Sequence, residues 1–332
     1  MTPHELIPYL SGLVKNDIRL SAMIWGPPGI GKSSIVAQVA QQNSLQIVDL
    51  RLSQLAPTDL RGLPVAENGV AKWFPPEFLP TSGEGILFLD EINMATPAMQ
   101  GIAQQLILDR QVGSYRVPDG WFIWAAGNRK ADRAAVFEMP SALANRFVHL
   151  EITPDFDSFR IWGLNQSINE QILAFLAFRP TLLHQIDAQR PAWPSPRSWA
   201  MAHELQRATL SVEPAVGIGA AGEFDAFCAV YKNLPDLEPI LAGTSKASFP
   251  SEPSARYATV LGLIIRADDA AKAVHALRWL VKQASAEWVQ FFATDLFRMM
   301  REKGQFGALA KLISTDAELK DFARNMRDLI FS

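Results

Sequence analysis

The stretch GPPGIGKS, residues Gly26 to Ser33, matches G-x-x-x-x-G-K-[ST] at every required position. It follows an apolar run, SAMIW (21–25), and leads into SSIVAQVAQQN (33–43), whose apolar residues fall at helical spacing. A strand, a glycine-rich turn and a helix in that order give the pattern its physical meaning. The glycines let the backbone curl until its N–H groups surround phosphate oxygens, and the helix N-terminus adds a favourable dipole. Gly26, Pro27, Pro28, Gly29, Ile30, Gly31, Lys32, Ser33 and Ser34 are therefore the expected cradle, with the two prolines stiffening it. Lys32 is expected to reach the β- and γ-phosphates, and the Ser33 hydroxyl to ligate Mg²⁺.

Two further stretches complete this chemistry. GILFLDEIN (85–93) carries four apolar residues, Ile86 to Leu89, as expected of a buried strand whose tip presents Asp90 and Glu91. Asp90 suits Mg²⁺, alongside Ser33. Glu91 suits the orientation and deprotonation of an attacking water. WFIWAAGNR (121–129) reads as another buried strand ending in Asn128. Asn before such a loop is by itself a good turn residue. On a strand lying between the two phosphate-handling strands, its amide would instead hold the water and sense the γ-phosphate.

Five short apolar runs recur in the first half: SAMIW, QIVDLRL (46–52), GILFLD (85–90), WFIWAA (121–126) and FVHLEI (147–152). Their near-continuous apolarity, with helical stretches such as PAMQGIAQQLILDR (97–110) between them, predicts an α/β fold with a parallel sheet covered on both faces. No strand is expected from residue 156 onward. RPAWPSPR (190–197) punctuates the helical part, and AGTSKASFPSEPSA (242–255) reads as a surface linker. The expected organisation is an α/β domain over 1–153, a small helical domain over 154–223 and a helical C-terminal region over 224–332.

The 332 residues are enough for two or three such cores. Apolar residues make up 48% and charged residues 20%, and the net charge of −3 gives no global attraction to nucleic acid. The single cysteine, Cys228, leaves no internal disulfide and reads as a small apolar residue. No basic, apolar leader opens the chain and no apolar run reaches membrane-spanning length, so a cytoplasmic location with no membrane partner is expected. His4, His149, His184, His203 and His275 show no metal-ligand spacing. GIGAAG (217–222) fits a dinucleotide fingerprint but lacks its strand, and reads as close helix packing through small residues.

Taken together, GPPGIGKS, DLRGLP (59–64), WFPPEFLP (73–80), GILFLDEIN, LILDRQVGSYRVPDGW (106–121), AAGNR, ALANRF and PSPRSW (194–199) resemble an AAA+ ATPase of the MoxR branch. The versions meant are those found beside proteins with von Willebrand factor A-like domains. The resemblance spans roughly residues 20–222. It implies a P-loop AAA+ three-layer α/β/α core followed by an all-α lid. It further implies ATP and Mg²⁺ as ligands and a homo-oligomeric ring, usually a hexamer, with ATP bound between neighbours. Lys32 and Ser33 would be the Walker A pair and Asp90 and Glu91 Walker B. Asn128 would be sensor 1. Arg146 would be the arginine finger that reaches a neighbour's γ-phosphate, and Arg197, in PSPR, sensor 2. Segments 62–80 and 110–121 would be hairpin insertions, with Trp73, Phe74 and Tyr115 as candidate client grips or as local packing. Arg129 and Arg133 would be interface arginines assisting Arg146, or a solvated face.

The function expected on this basis is an ATP-driven remodelling chaperone whose client or adaptor carries a von Willebrand factor A-like domain. The alternatives are an assembly switch with slow hydrolysis and, less favoured, a nucleic-acid motor. The motor would need basic insertions. Segment 62–80 holds Lys72 against Glu67 and Glu77, whereas 110–121 keeps Arg110 and Arg116.

Overall fold

The computed structural model describes residues 1–129, 132, 137–187, 189–231, 234, 236–319, 322 and 324. The chain divides into two compact units. The first is Met1–Ser158 with Ile186–Pro191 and Ser195–Ser198; the second is Phe159–Gln185, Ala192–Pro194 and Trp199–Ser332.

The first unit opens with α1 (Pro3–Lys15), started by a Thr2–Glu5 capping box that satisfies two orphan N–H groups reciprocally. There follow β1 (Ala22–Trp25), α2 (Lys32–Gln42), β2 (Gln46–Arg51), α3 (Pro57–Arg61), β3 (Leu63–Glu67), β4 (Val70–Phe74), β5 (Gly85–Asp90) and α4 (Pro97–Asp109). The unit continues with β6 (Gln111–Val112), β7 (Tyr115–Arg116), β8 (Trp121–Gly127), α5 (Ser141–Ala144) and β9 (Val148–Glu151). All five expected strands form within a residue or two of the apolar runs that announced them. They build one parallel sheet in the order β2-β5-β8-β1-β9. The strand bearing Asn128 thus lies between β1 and β5, as its expected role requires.

Alternation along the strands fills both faces. Met23, Leu87, Leu89, Ile123 and Ala125 point into a core with Met99, Ile102 and Leu106 of α4. Ala22, Ile24, Ile86, Phe88, Phe122 and Trp124 point into the other, with Leu6 and Leu10 of α1 and Val36 and Val39 of α2. Every residue of β5 is buried. A side chain such as Phe88 contributes about 1.5–3 kcal/mol by leaving water. The segments at 62–80 and 110–121 are hairpins, β3–β4 and β6–β7.

The second unit is helical. It takes in the rest of α6 (Phe156–Asn165), then α7 (Glu170–Phe178), most of α8 (Pro196–Arg207), α9 (Glu213–Val216), α10 (Ile218–Tyr231) and α11 (Glu238–Leu241). It ends with α12 (Pro253–Arg266), α13 (Ala270–Gln283), α14 (Ala286–Glu302) and α15 (Phe306–Thr315). Among the described residues no strand follows Glu151. Ile172 to Ala177 of α7 are all buried, and α12 packs along α7. Phe175 meets Trp199, Phe224 and Phe227 at ring distances of 5.5, 5.4 and 5.6 Å. Buried Arg160 pairs with buried Asp295 at 3.0 Å.

Two expectations for this unit are corrected. Segment 242–255 is not a free linker. Phe249 stands edge-on to Trp279 at 5.9 Å, the Trp279 indole donates to Ala247 O at 2.9 Å, and α12 already begins at Pro253. Nor do the glycines of GIGAAG all mediate close packing. A Cβ on Gly217 would lie 2.7 Å from Ala192 O, but one on Gly219 or Gly222 would meet nothing within 4 Å.

Candidate active site

The turn after β1 forms the cradle. Gly29 and Gly31 have φ of +78° and +97°, values that an L side chain resists. Gly31 caps α2, so the helix N-terminus opens onto the loop. Gly26 and Pro27 are buried, Ile30 is anchored in the core beside Val36, and Ser34 is exposed at the first turn of α2. The buried Lys32 ammonium donates to Gly26 O at 2.8 Å, Pro27 O at 3.1 Å and Asn128 Oδ1 at 2.8 Å. Burial lowers its pKa to about 8, against the pull of Asp90 and Asp132.

The tip of β5 supplies the carboxylates. Asp90 is nearly buried; its Oδ2 accepts from Ser33 Oγ at 2.6 Å and its Oδ1 from the Glu91 amide at 2.8 Å. Glu91 has φ +56°, an uncommon state for a non-glycine residue, and its carboxylate accepts a short hydrogen bond from the Ser53 hydroxyl. Ser33 Oγ and Asp90 Oδ2 are hard oxygen donors of the kind Mg²⁺ takes. Among the described residues no group of three or more His, Cys, Asp and Glu side chains gathers to hold a metal unaided. The pair fits an ion that draws its remaining ligands from water and phosphate.

Lys32, Ser33, Asp90, Glu91 and Asn128 thus converge at the ends of three adjacent strands. Arg197 is exposed; its backbone N–H donates to Gly29 O at 3.0 Å, and its charge is close enough to oppose protonation of Lys32. Arg146 is not part of this cluster. It is exposed at the turn between α5 and β9 and has no ion pair or side-chain hydrogen bond among the described residues.

Several expectations change. Arg129 is not a freely solvated arginine. It forks onto Asp132 at 2.8 Å and reaches Glu151 at 2.6 Å, and these bonds raise its pKa. Arg133 lies outside the described residues. Tyr115 is buried, donates to Pro80 O at 2.8 Å and has its pKa raised to about 12 by burial, so it packs the hairpin and offers no grip. Trp73 is half-buried, whereas Phe74 is 51% exposed. Arg110 spends its guanidinium on Pro118 O and Trp121 O at 2.9 and 2.7 Å.

Three residues were missed by sequence reasoning. Ser53 holds Glu91. Buried Asn93 brackets the Asn128 backbone, donating to its C=O at 2.7 Å and accepting from its N–H at 3.2 Å. Ser195 caps the start of α8 reciprocally with Ser198 and would lie 2.9 Å from a Cβ on Gly29. Asn93 had a faint signal, a polar residue just past a buried strand; Ser53 and Ser195 had none. Elsewhere, a cavity of about 1040 Å³ in the second unit is lined by acids and bases in balance, including Glu170, Glu204, Arg207 and Arg298.

A parallel sheet with a glycine-rich cradle after β1 and paired carboxylates at the tip of β5 has the geometry of a P-loop nucleotide-binding domain. Residues 21–147 match the family described as AAA domain (dynein-related subfamily). Midasin of Giardia intestinalis is 28% identical over 141 residues, which cover 39% of this chain and 3% of that protein. The chain therefore spans only a small fraction of the length of the curated relative it matches. Among solved structures, NtrX from Brucella abortus in complex with ADP aligns with a TM-score of 0.44 at 16% identity. That alignment covers 98% of this chain and 68% of the other. A Thermotoga maritima RuvB mutant aligns with a TM-score of 0.33 at 14% identity, covering 94% and 81%. No described helix is long and apolar enough to cross a membrane.

Proposed function

We propose that this chain is an ATP hydrolase of the MoxR branch that works as a homo-oligomeric, hexameric ring and remodels a partner protein. One observation carries the reading. Lys32, Ser33, Asp90, Glu91 and Asn128 converge on one cradle, while Arg146 stands exposed and unpaired among the described residues, away from them. The cluster supplies binding, through Lys32, and water activation, but no arginine for the charge that grows on the transferred γ-phosphate. Arg146 can supply one to a neighbour.

Lys32 and the loop N–H groups would bind the β- and γ-phosphates. Ser33 and Asp90 would hold Mg²⁺, whose charge screens the phosphate oxygens. Glu91 would take the proton of the attacking water, and Asn128 would orient that water. Arg197, beside Gly29 at the start of α8, would contact the phosphates as part of a lid over 154–223, with 224–332 as a C-terminal helical region. The partner, a client or adaptor with a von Willebrand factor A-like domain, rests on the resemblance. A surface for it is available on the outer face of β3–β4, where Leu63, Val65, Val70 and Phe74 are exposed around the Lys72–Glu67 pair.

The test is an ATPase assay on the assembled protein with a Glu91→Gln trap. Glu91→Gln is expected to bind ATP, stop turnover and retain client on purification. Turnover at the normal rate would remove Glu91 from its role.

The Ser53–Glu91 bond favours a second reading, a nucleotide-dependent switch with slow hydrolysis, because it occupies the base at rest. Stimulation of turnover by a client supports the motor; slow turnover that no client changes supports the switch. A nucleic-acid motor is less well supported, since Arg110 is internally bonded and Lys72 is paired.

A further inference from the structure

Arg146 sits in a turn that has little to hold it by itself. Helix α5 before it has four residues, too few to be stable alone. The Ala144 carbonyl accepts from the Phe147 N–H at 3.2 Å, and the Arg146 N–H reaches Leu143 O at 3.1 Å. Asn145 and Arg146 thus form the crest of a closed turn with Ala144 O at its base.

A third group reaches that same carbonyl. His149, on the edge strand β9, has Nε2 2.8 Å from Ala144 O and Nδ1 2.8 Å from Trp25 Nε1. An indole nitrogen can only donate, so Nδ1 carries the lone pair and the ring proton sits on Nε2. Nε2–H therefore donates to Ala144 O. The two rings lie nearly parallel, 6.1 Å apart at 11°, and Phe147 meets His149 edge-on at 6.2 Å. Trp25 is the last residue of β1, adjacent to Gly26, the first residue of the cradle and an acceptor for Lys32. A directed chain of bonds therefore runs from the cradle strand through Trp25 and His149 to the base of the Arg146 turn.

We propose that Trp25 and His149 are positioning residues that fix, relative to the subunit's own cradle, the turn from which Arg146 is presented to a neighbour. The proposal rests on the reading of Arg146 as a finger acting in trans. A long guanidinium side chain must deliver its charge to within a fraction of an ångström, and a misplacement of about 1 Å can cost about 10²-fold in rate. If the two rings merely covered the sheet edge, an aromatic ring without nitrogens would serve as well.

The assay is Mg²⁺-ATP turnover and ATP affinity of the assembled protein carrying His149→Phe, His149→Gln, Trp25→Phe, Arg146→Ala or His149→Phe with Arg146→Ala. His149→Phe keeps the stack and loses both hydrogen bonds. We expect kcat to fall by about 10²-fold with ATP affinity held, and the double variant to be no slower than Arg146→Ala. His149→Gln offers a donor and an acceptor without the ring and is expected to recover most of the lost rate. Trp25→Phe removes only the first donor and is expected to lose kcat in the same direction; it reads the relay even where His149→Phe fails to fold. Normal turnover in both His149→Phe and Trp25→Phe would overturn the relay, as would losses that multiply with Arg146→Ala. If Arg146→Ala itself turns over normally, the finger reading fails and takes the relay with it. If Arg146→Ala alone is slow, the finger stands and the relay is refuted.

Discussion

The Ser53 hydroxyl donates to the Glu91 carboxylate, joining the turn after β2 to the residue that follows β5. Glu91 carries its own strain at φ +56°. The carboxylate oxygen that accepts this bond must release it before it can take a proton from water. Ser53→Ala is therefore expected to raise the basal ATPase rate by up to about 10²-fold, since a hydrogen bond to a charged group is worth about 1.5–3 kcal/mol. Steady-state turnover without client reads this directly. A lower rate would mean that Ser53 orients Glu91 for catalysis.

Glu91→Gln keeps the side-chain shape and removes the base. Turnover is expected to fall by about 10²–10⁴-fold with ATP affinity unchanged. Single-turnover hydrolysis beside equilibrium ATP binding separates the two quantities.

Lys32 gives a pH dependence with a definite sign. Burial depresses its pKa to about 8, so the free cradle loses its charge above that pH. Bound phosphates favour the ammonium, so binding takes up a proton there. ATP affinity is expected to be flat in pH just below 8 and to weaken by up to about tenfold per pH unit above it. Lys32→Arg, charged throughout, should flatten the profile. The same depressed pKa costs the ATP-free fold stability at neutral pH, a cost that lessens as pH rises from about 8 towards 10.5. Binding measured from pH 7 to 9.5 checks the first statement, and denaturant unfolding the second.

Much of the fold was legible because a buried parallel strand leaves a dense apolar run, and five such runs gave the five strands. The cradle was legible because its chemistry needs neighbours in sequence. Ser53, Asn93 and the Trp25–His149 pair were not, because each acts through residues brought together only by the sheet. Tyr115 misled because its polar tip and apolar body suit a grip and a buried hydrogen bond equally well. Phe249 hid in a Ser- and Pro-rich stretch whose composition looks like linker but whose one ring docks on Trp279.

Asn93 tests whether that hidden layer matters. Asn93→Ala would leave the buried N–H and C=O of Asn128 without their partner. A loss of about 2–6 kcal/mol in stability is expected, from two unmade bonds at about 1–3 kcal/mol each, together with slower turnover. Chemical denaturation beside the ATPase assay measures both.

Hydrolysis between subunits requires Arg146 to act on a neighbour's nucleotide. The direct measurement mixes two inactive proteins, Arg146→Ala, whose own cradle is intact, and Lys32→Ala, whose Arg146 is intact. Each alone is expected to lose about 10³–10⁵-fold in kcat or to fail to bind ATP. The mixture is expected to regain activity where an Arg146-bearing subunit abuts an intact cradle. No recovery from a demonstrably co-assembled mixture, or a monomer that turns over as fast as the assembly, would contradict the account.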